Sequence, residues 1–147
     1  MVAFILIFFA SCDSISGDKD PEPTLEGIYA GPASYTIPVL DLDEPLTSTL
    51  RMEVIQVGTE MTLSGTEIFF GQQPRALAAI TGTVSQTGFF TASGVARIAS
   101  WDDPECGRIS SANHTIAFAN KNLRITENIL TPKCGTILFS ALLVRER

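Results

Sequence analysis

Apolar and polar positions alternate along most of the chain with a period of two. Leu50, Met52 and Val54 fall on one face of an extended segment and Arg51 and Glu53 on the other, the signature of a strand with one buried and one wet side. Phe90, Ala92, Gly94, Ala96 and Ile98 share a face opposite Thr91, Ser93 and Arg97, and Leu123, Ile125 and Ile129 repeat the pattern. With Gly, Pro, Asn and Asp as punctuation, the pattern predicts strands near 26–37, 48–57, 60–70, 79–86, 89–100, 110–119, 122–130 and 135–145. Val57-Gly58-Thr59-Glu60, Gln86-Thr87-Gly88 and Ala119-Asn120-Lys121-Asn122 are short enough to be hairpin turns between antiparallel neighbours. Gln73-Pro74-Arg75-Ala76-Leu77-Ala78-Ala79 alone reads as helix, of at most about two turns, with proline at a first-turn position. The last predicted strand, Ile137-Leu138-Phe139-Ser140-Ala141-Leu142-Leu143-Val144, is apolar on both faces. Such a strand is either covered on both sides or carries an exposed stripe that docks on something.

About eight strands joined by hairpins predict an all-β antiparallel meander. It either closes into an up-and-down barrel or stacks as two sheets in a β-sandwich. Exposed edges need protection, and edge devices are few here: Pro32 and the charged Arg145-Glu146-Arg147 end. A closed barrel is therefore the leading expectation. Leu25-Glu26-Gly27-Ile28-Tyr29-Ala30-Gly31 followed by eight strand-like runs resembles the small calycin barrels, the lipocalin and avidin architecture. That resemblance implies a barrel mouth that takes a small apolar ligand.

The first residues follow a different rule. Residues 2–10 form an uncharged apolar run, VAFILIFFA, before the chain turns polar at Asp13. A spanning helix rises about 1.5 Å per residue through about 30 Å of hydrocarbon, so this run is about half the length required and suits a secretory h-region better. Phe9-Ala10-Ser11-Cys12 resembles a bacterial lipobox, with Phe9 where Leu is usual and no Lys or Arg ahead of the run. The resemblance implies a signal peptide over 1–11, a lipidated Cys12 as mature N-terminus, and a bacterial envelope location. The alternatives are an ordinary signal peptide cleaved near Ser11, or a buried strand with Cys12 as a core thiol. Residues 13–24, DSISGDKDPEPT, lack apolar periodicity and hold four acids, one Lys and two Pro, as a solvated tether would. The β domain then occupies 25–147. Asp13 after the lipidated Cys resembles the residue that favours inner-membrane retention in enteric bacteria.

Three cysteines leave one without a partner in an exported chain. Lipidation of Cys12 supplies the reason, and Cys106 and Cys134, each followed by Gly, are expected to pair as a disulfide. A metal is not expected, because the chain has no CxxC spacing and only one histidine.

The 147 residues carry 16 acids against 10 Lys and Arg, a net charge of -6. Such a balance argues against nucleic acid, since phosphate attraction needs a basic footprint. Hydrophobic residues at 45% are too many for a disordered chain, and one domain is expected.

Candidate chemistry is sparse. His114 shares a face with Ala112, Ile116 and Phe118, has no GxSxG elbow to serve, and is expected to be a hydrogen-bonded structural histidine. Asn113-His114-Thr115 matches the glycosylation sequon, incidental in a bacterial protein. The acidic clusters Asp41-Leu42-Asp43-Glu44 and Trp101-Asp102-Asp103-Pro104-Glu105 read as solvated turns. Trp101 and Phe69-Phe70 are either core or the wall of a ligand mouth. The expectation is a binding module without cofactor or catalytic residues, its partner a small apolar ligand or an envelope protein. The rival is a secreted hydrolase using loop carboxylates.

Overall fold

The computed structural model describes residues 24–40, 43–93, 98–99, 104–107 and 111–147. The segment 1–23, with Cys12 and all of the tether but Thr24, lies outside them. The strands are β1 (Gly27–Thr36), β2 (Leu46–Val57), β3 (Glu60–Phe69), β4 (Arg75–Val84), β5 (Phe89–Ala92), β6 (Ser111–Ala119), β7 (Asn122–Thr131) and β8 (Gly135–Arg145), with one 3-10 turn at Pro38–Leu40. Each pairs antiparallel with the next, and β8 returns to pair with β1, closing the sheet into an eight-stranded up-and-down barrel. Closure overturns the β-sandwich alternative: Tyr29 through Thr36 of β1 meet Arg145 through Leu138 of β8, so no free edge is left between first and last strands.

Alternation decides which side chains go inside. Leu50, Met52 and Val54 from β2, Leu123, Ile125 and Ile129 from β7, and Ile137, Phe139, Ala141 and Leu143 from β8 are all buried in one core. Tyr35 packs between Phe139 and Phe69, with ring centroids 4.9 and 5.6 Å away. Tyr35, Leu50, Met52, Leu63, Ile116 and Ile125 have no water-accessible surface at all. No void as wide as a water molecule therefore lines these side chains.

The helix expected over 73–79 is strand instead, with β4 starting at Arg75. The cause is a bulge. Leu63 pairs with Ile80 and Gly65 with Leu77, so Ser64 of β3 faces two residues of β4, Ala78 and Ala79. The extra residue turns Leu77 and Ile80, three apart, to the same inner face, which reproduces a helical spacing in extended chain. Gly65 serves the same curvature: a Cβ there would lie 2.1 Å from the Arg51 carbonyl oxygen, so β2 and β3 approach as only glycine permits. Elsewhere the expected strands stand, with β2 starting two residues earlier, but β5 ends at Ala92, and Ile98 and Ala99, expected in the same strand over 89–100, lie outside it in the β5–β6 connection. In the β6–β7 hairpin, Asn120 and Lys121 both have positive φ, 50° and 66°, the two left-handed positions that suit the twist of a two-residue turn.

Pro32, expected to protect an edge, lies in the closing seam. The β1–β8 ladder is interrupted at Gly31 and Pro32 and resumes at Ala33, as proline has no N–H to donate. Ser34 and Ser140 hydroxyls hydrogen-bond across the seam at 3.0 Å.

The barrel has two unlike ends. One, the hairpin end, gathers the turns at 58–59, 85–88 and 120–121 together with the point where the chain enters at Thr24. There the Leu25 N–H donates to Gln56 Oε1 at 2.9 Å, Arg145 Nη1 donates to the Thr24 carbonyl at 3.2 Å, and Arg145 Nη2 donates to the Glu26 carbonyl. The Tyr29 hydroxyl donates to the Leu25 carbonyl at 2.8 Å. Burial raises the Tyr29 phenol above its ordinary 10.0, with the positive charge of Arg145 pulling the other way. The folded state thus holds the phenolic proton more tightly than the unfolded chain. Its contribution is intact below the unfolded value near 10 and is lost as pH rises through the folded one. Thermal midpoints followed from about pH 8 to 11 are expected to fall at the alkaline end, and Tyr29→Phe to flatten that fall. An equal fall in the variant would assign it to other groups.

Candidate functional site

The opposite end of the interior holds the polar groups. Glu67 is fully buried on the inner face of β3. The Tyr35 hydroxyl donates to its Oε1 at 2.6 Å and the Ser48 hydroxyl donates to the same oxygen at 2.5 Å. Tyr35 comes from β1 and Ser48 from β2, so one carboxylate links three consecutive strands. Glu127 of β7 is likewise buried. It accepts the Ile98 N–H at 3.2 Å from each oxygen, and the Ala99 N–H at 2.8 Å through Oε2. Ile98 and Ala99 belong to the β5–β6 connection and are themselves in the core. A carboxylate inside the barrel therefore terminates backbone donors of a segment with no strand partner there, the satisfaction a buried N–H requires.

The same connection is tied down a second time. Cys106 and Cys134 form a disulfide with Cα atoms 4.9 Å apart, joining it to the turn between β7 and β8. The Lys133 N–H adds a bond to the Cys106 carbonyl at 3.2 Å, and the Thr131 hydroxyl accepts the Cys134 N–H at 3.2 Å. The expected Cys106–Cys134 pairing is present.

His114 stands on β6 directly across from Glu127. Its Nδ1 is buried without a hydrogen-bond partner among the described residues. The hydrogen bond expected of a structural histidine is not made there, and the Glu127 oxygens opposite are engaged by Ile98 and Ala99. Phe69 and Phe70, grouped as possible wall of a ligand mouth, part company. Phe69 packs on the core under the Arg75 guanidinium, 5.7 Å from its ring centre, while Phe70 is wholly exposed in the following turn. Of the acidic clusters, Asp43, Glu44 and Glu105 are exposed, and Asp41, Trp101, Asp102 and Asp103 lie outside the described residues. No group of three His, Cys, Asp or Glu is placed to hold a metal among the described residues.

Glu67 and Glu127 were missed by sequence reasoning, yet a signal existed. Each is an acid at an inward position of an otherwise apolar alternation: Met61, Leu63, Gly65, Glu67, Phe69 in one strand and Leu123, Ile125, Glu127, Ile129 in the other. A lone acid on the apolar face marks a buried, partnered carboxylate.

On the outer wall, β8 exposes Leu138, Leu142 and Val144, each about half accessible. A shallow cavity of about 370 Å³ lies over the closing seam, lined by Pro32, Ser34, Thr47, Arg124, Ser140 and Leu142 among others. The final strand, apolar on both faces, thus buries one face and exposes the other.

Among the described residues these features define a small closed antiparallel β-barrel with an apolar core, two buried carboxylates and a disulfide-fastened connection. Among solved structures it is similar to Rv2717c from M. tuberculosis, with a TM-score of 0.53 and 13% sequence identity over 84% of this chain and 93% of that one. At that identity the likeness establishes the fold. No protein-family model matches the sequence, and no match was found among curated proteins.

Proposed function

We propose that the chain is a lipid-anchored bacterial envelope protein that works by binding another envelope protein on the outer wall of its barrel. The observation that carries the binding mode is the division of β8. Its inner side chains Ile137, Phe139 and Leu143 fill the core, while Leu138, Leu142 and Val144 face out beside the Pro32 seam. Side chains packed without water-accessible surface leave little room for a ligand in that part of the barrel, which favours a surface partner over a small apolar molecule. An apolar stripe with a polar rim of Ser34, Thr47 and Ser140 has the make-up of a protein contact.

The anchor rests on the lipobox-like Phe9-Ala10-Ser11-Cys12 and on the disulfide, which suits an oxidising compartment. More than one acyl chain, as lipoprotein maturation supplies, is needed for stable attachment. For the rival hydrolase, the described members of the two acidic clusters, Asp43, Glu44 and Glu105, are exposed.

Two measurements test the proposal. Intact mass of membrane-extracted protein is expected to show an acylated Cys12, and Cys12→Ala to release the chain from the membrane; a Cys12→Ala chain that stays bound removes the anchor. A Leu138→Ser/Leu142→Ser chain is expected to lose a co-purifying envelope protein while keeping its unfolding midpoint. Retention of the partner removes the β8 face from consideration.

A further inference from the structure

Resting on the anchored reading, we propose that the hairpin end of the barrel is a membrane-facing surface, so that the molecule stands on the bilayer with its disulfide end pointing away. The first ground is where the chain enters. Thr24 and Leu25 are fixed at the hairpin end by Gln56 and Arg145. The eleven residues of 13–23 that separate Cys12 from that point belong to the stretch that reads from the sequence as a solvated tether, and a solvated chain of that length has a root-mean-square span of about 20 Å. A ten-residue strand is about 33 Å long. The hairpin end is therefore the end held closest to the anchor.

The second ground is what that end displays. Val57 and Phe89 are more than half exposed there. Beside them a cavity of about 530 Å³ opens between two hairpins, lined by Leu25, Val84 and Phe118 and by the neutral Thr59, Gln86 and Thr87. Short apolar side chains with hydroxyl and amide groups suit the headgroup boundary, where one side of a contact is wet and the other is not. The charges are balanced: Glu26, Glu60 and Glu146 share this end with Lys121, Arg145 and Arg147, and Glu146 pairs with Arg51 at 3.1 Å. An anionic leaflet is not repelled by such a surface, and its three cations lie within the short range over which headgroup charge acts.

The opposite rim supplies the control, because Phe70, Val39 and Leu46 are exposed there too, next to Asp43 and Glu44. Full-length protein extracted from membranes is reconstituted into vesicles of phosphatidylethanolamine, phosphatidylglycerol and a brominated phosphatidylcholine, with Trp101→Phe as background and either Phe89→Trp or Phe70→Trp as reporter. The Phe89→Trp chain is expected to lose most of its fluorescence and the Phe70→Trp chain little. Stronger loss at position 70, or none at either, overturns the orientation. Intact mass of the same samples reads the anchor independently. An unacylated chain defeats the anchored reading and the orientation with it, whereas an acylated chain without quenching at 89 defeats the orientation alone. Circular dichroism of each variant against the parent, with the disulfide intact, confirms that the barrel carrying the reporter is folded.

Discussion

Replacing Glu127 by Ala is expected to lower the unfolding free energy by about 2 to 6 kcal/mol, since two buried backbone donors at about 1–3 kcal/mol each lose their acceptor. Among the described residues these donors are the Ile98 and Ala99 N–H groups, both in core residues. Glu127→Gln keeps one oxygen acceptor, so its loss is expected to be about half as large. Urea unfolding measures both, and hydrogen exchange at residues 98 and 99 locates the effect. A Glu127→Ala chain within about 0.5 kcal/mol of the parent would mean that the carboxylate costs as much to bury as its bonds return.

Loss of the disulfide is the second large effect. Cys106 and Cys134 are 28 residues apart, and the chain-entropy model assigns a loop of that size roughly 3 to 4 kcal/mol. Cys106→Ala/Cys134→Ala and the reduced parent are expected to unfold at the same lower midpoint. A double variant as stable as the oxidised parent would assign the stability of the connection to Glu127 alone. Disulfide and carboxylate restrain the same stretch between β5 and β6, so their losses are not expected to add. Once one fastening is gone, the connection opens more easily and the other has less to hold.

Much of this barrel was legible in the sequence. Hairpins at 58–59, 85–88 and 120–121 fell where Gly or Asn interrupts alternation, and all eight strands were located. What failed has a local cause. The bulge at Ala78 and Ala79 breaks the two-residue period on which strand reading depends, and in an alanine-rich run nothing else distinguishes strand from helix. Closure was an inference from scarce edge devices, and Pro32 proved compatible with it because the seam simply omits a bond there. The polar interior was illegible for a different reason. Hydrophobic patterning places Glu67 and Glu127 inside, but Ser48 and the backbone of Ile98 and Ala99 become their partners only through register and long connections, which period-two reasoning does not specify.

The pairing of β1 with β8 also governs how the chain is made. Gly27 is among the first residues of the domain to emerge during synthesis and Arg145 among the last, yet each strand needs the other to satisfy its outer row of backbone groups. Until the final strand has arrived, both β1 and β7 are open templates for a foreign strand. Joining ends over a hundred residues apart slows folding, because the entropy of closure is lost before the non-local contacts form. A sheet of this topology cannot close before β8 is available, and removing that strand is expected to leave two open edges in place of a slightly weaker barrel.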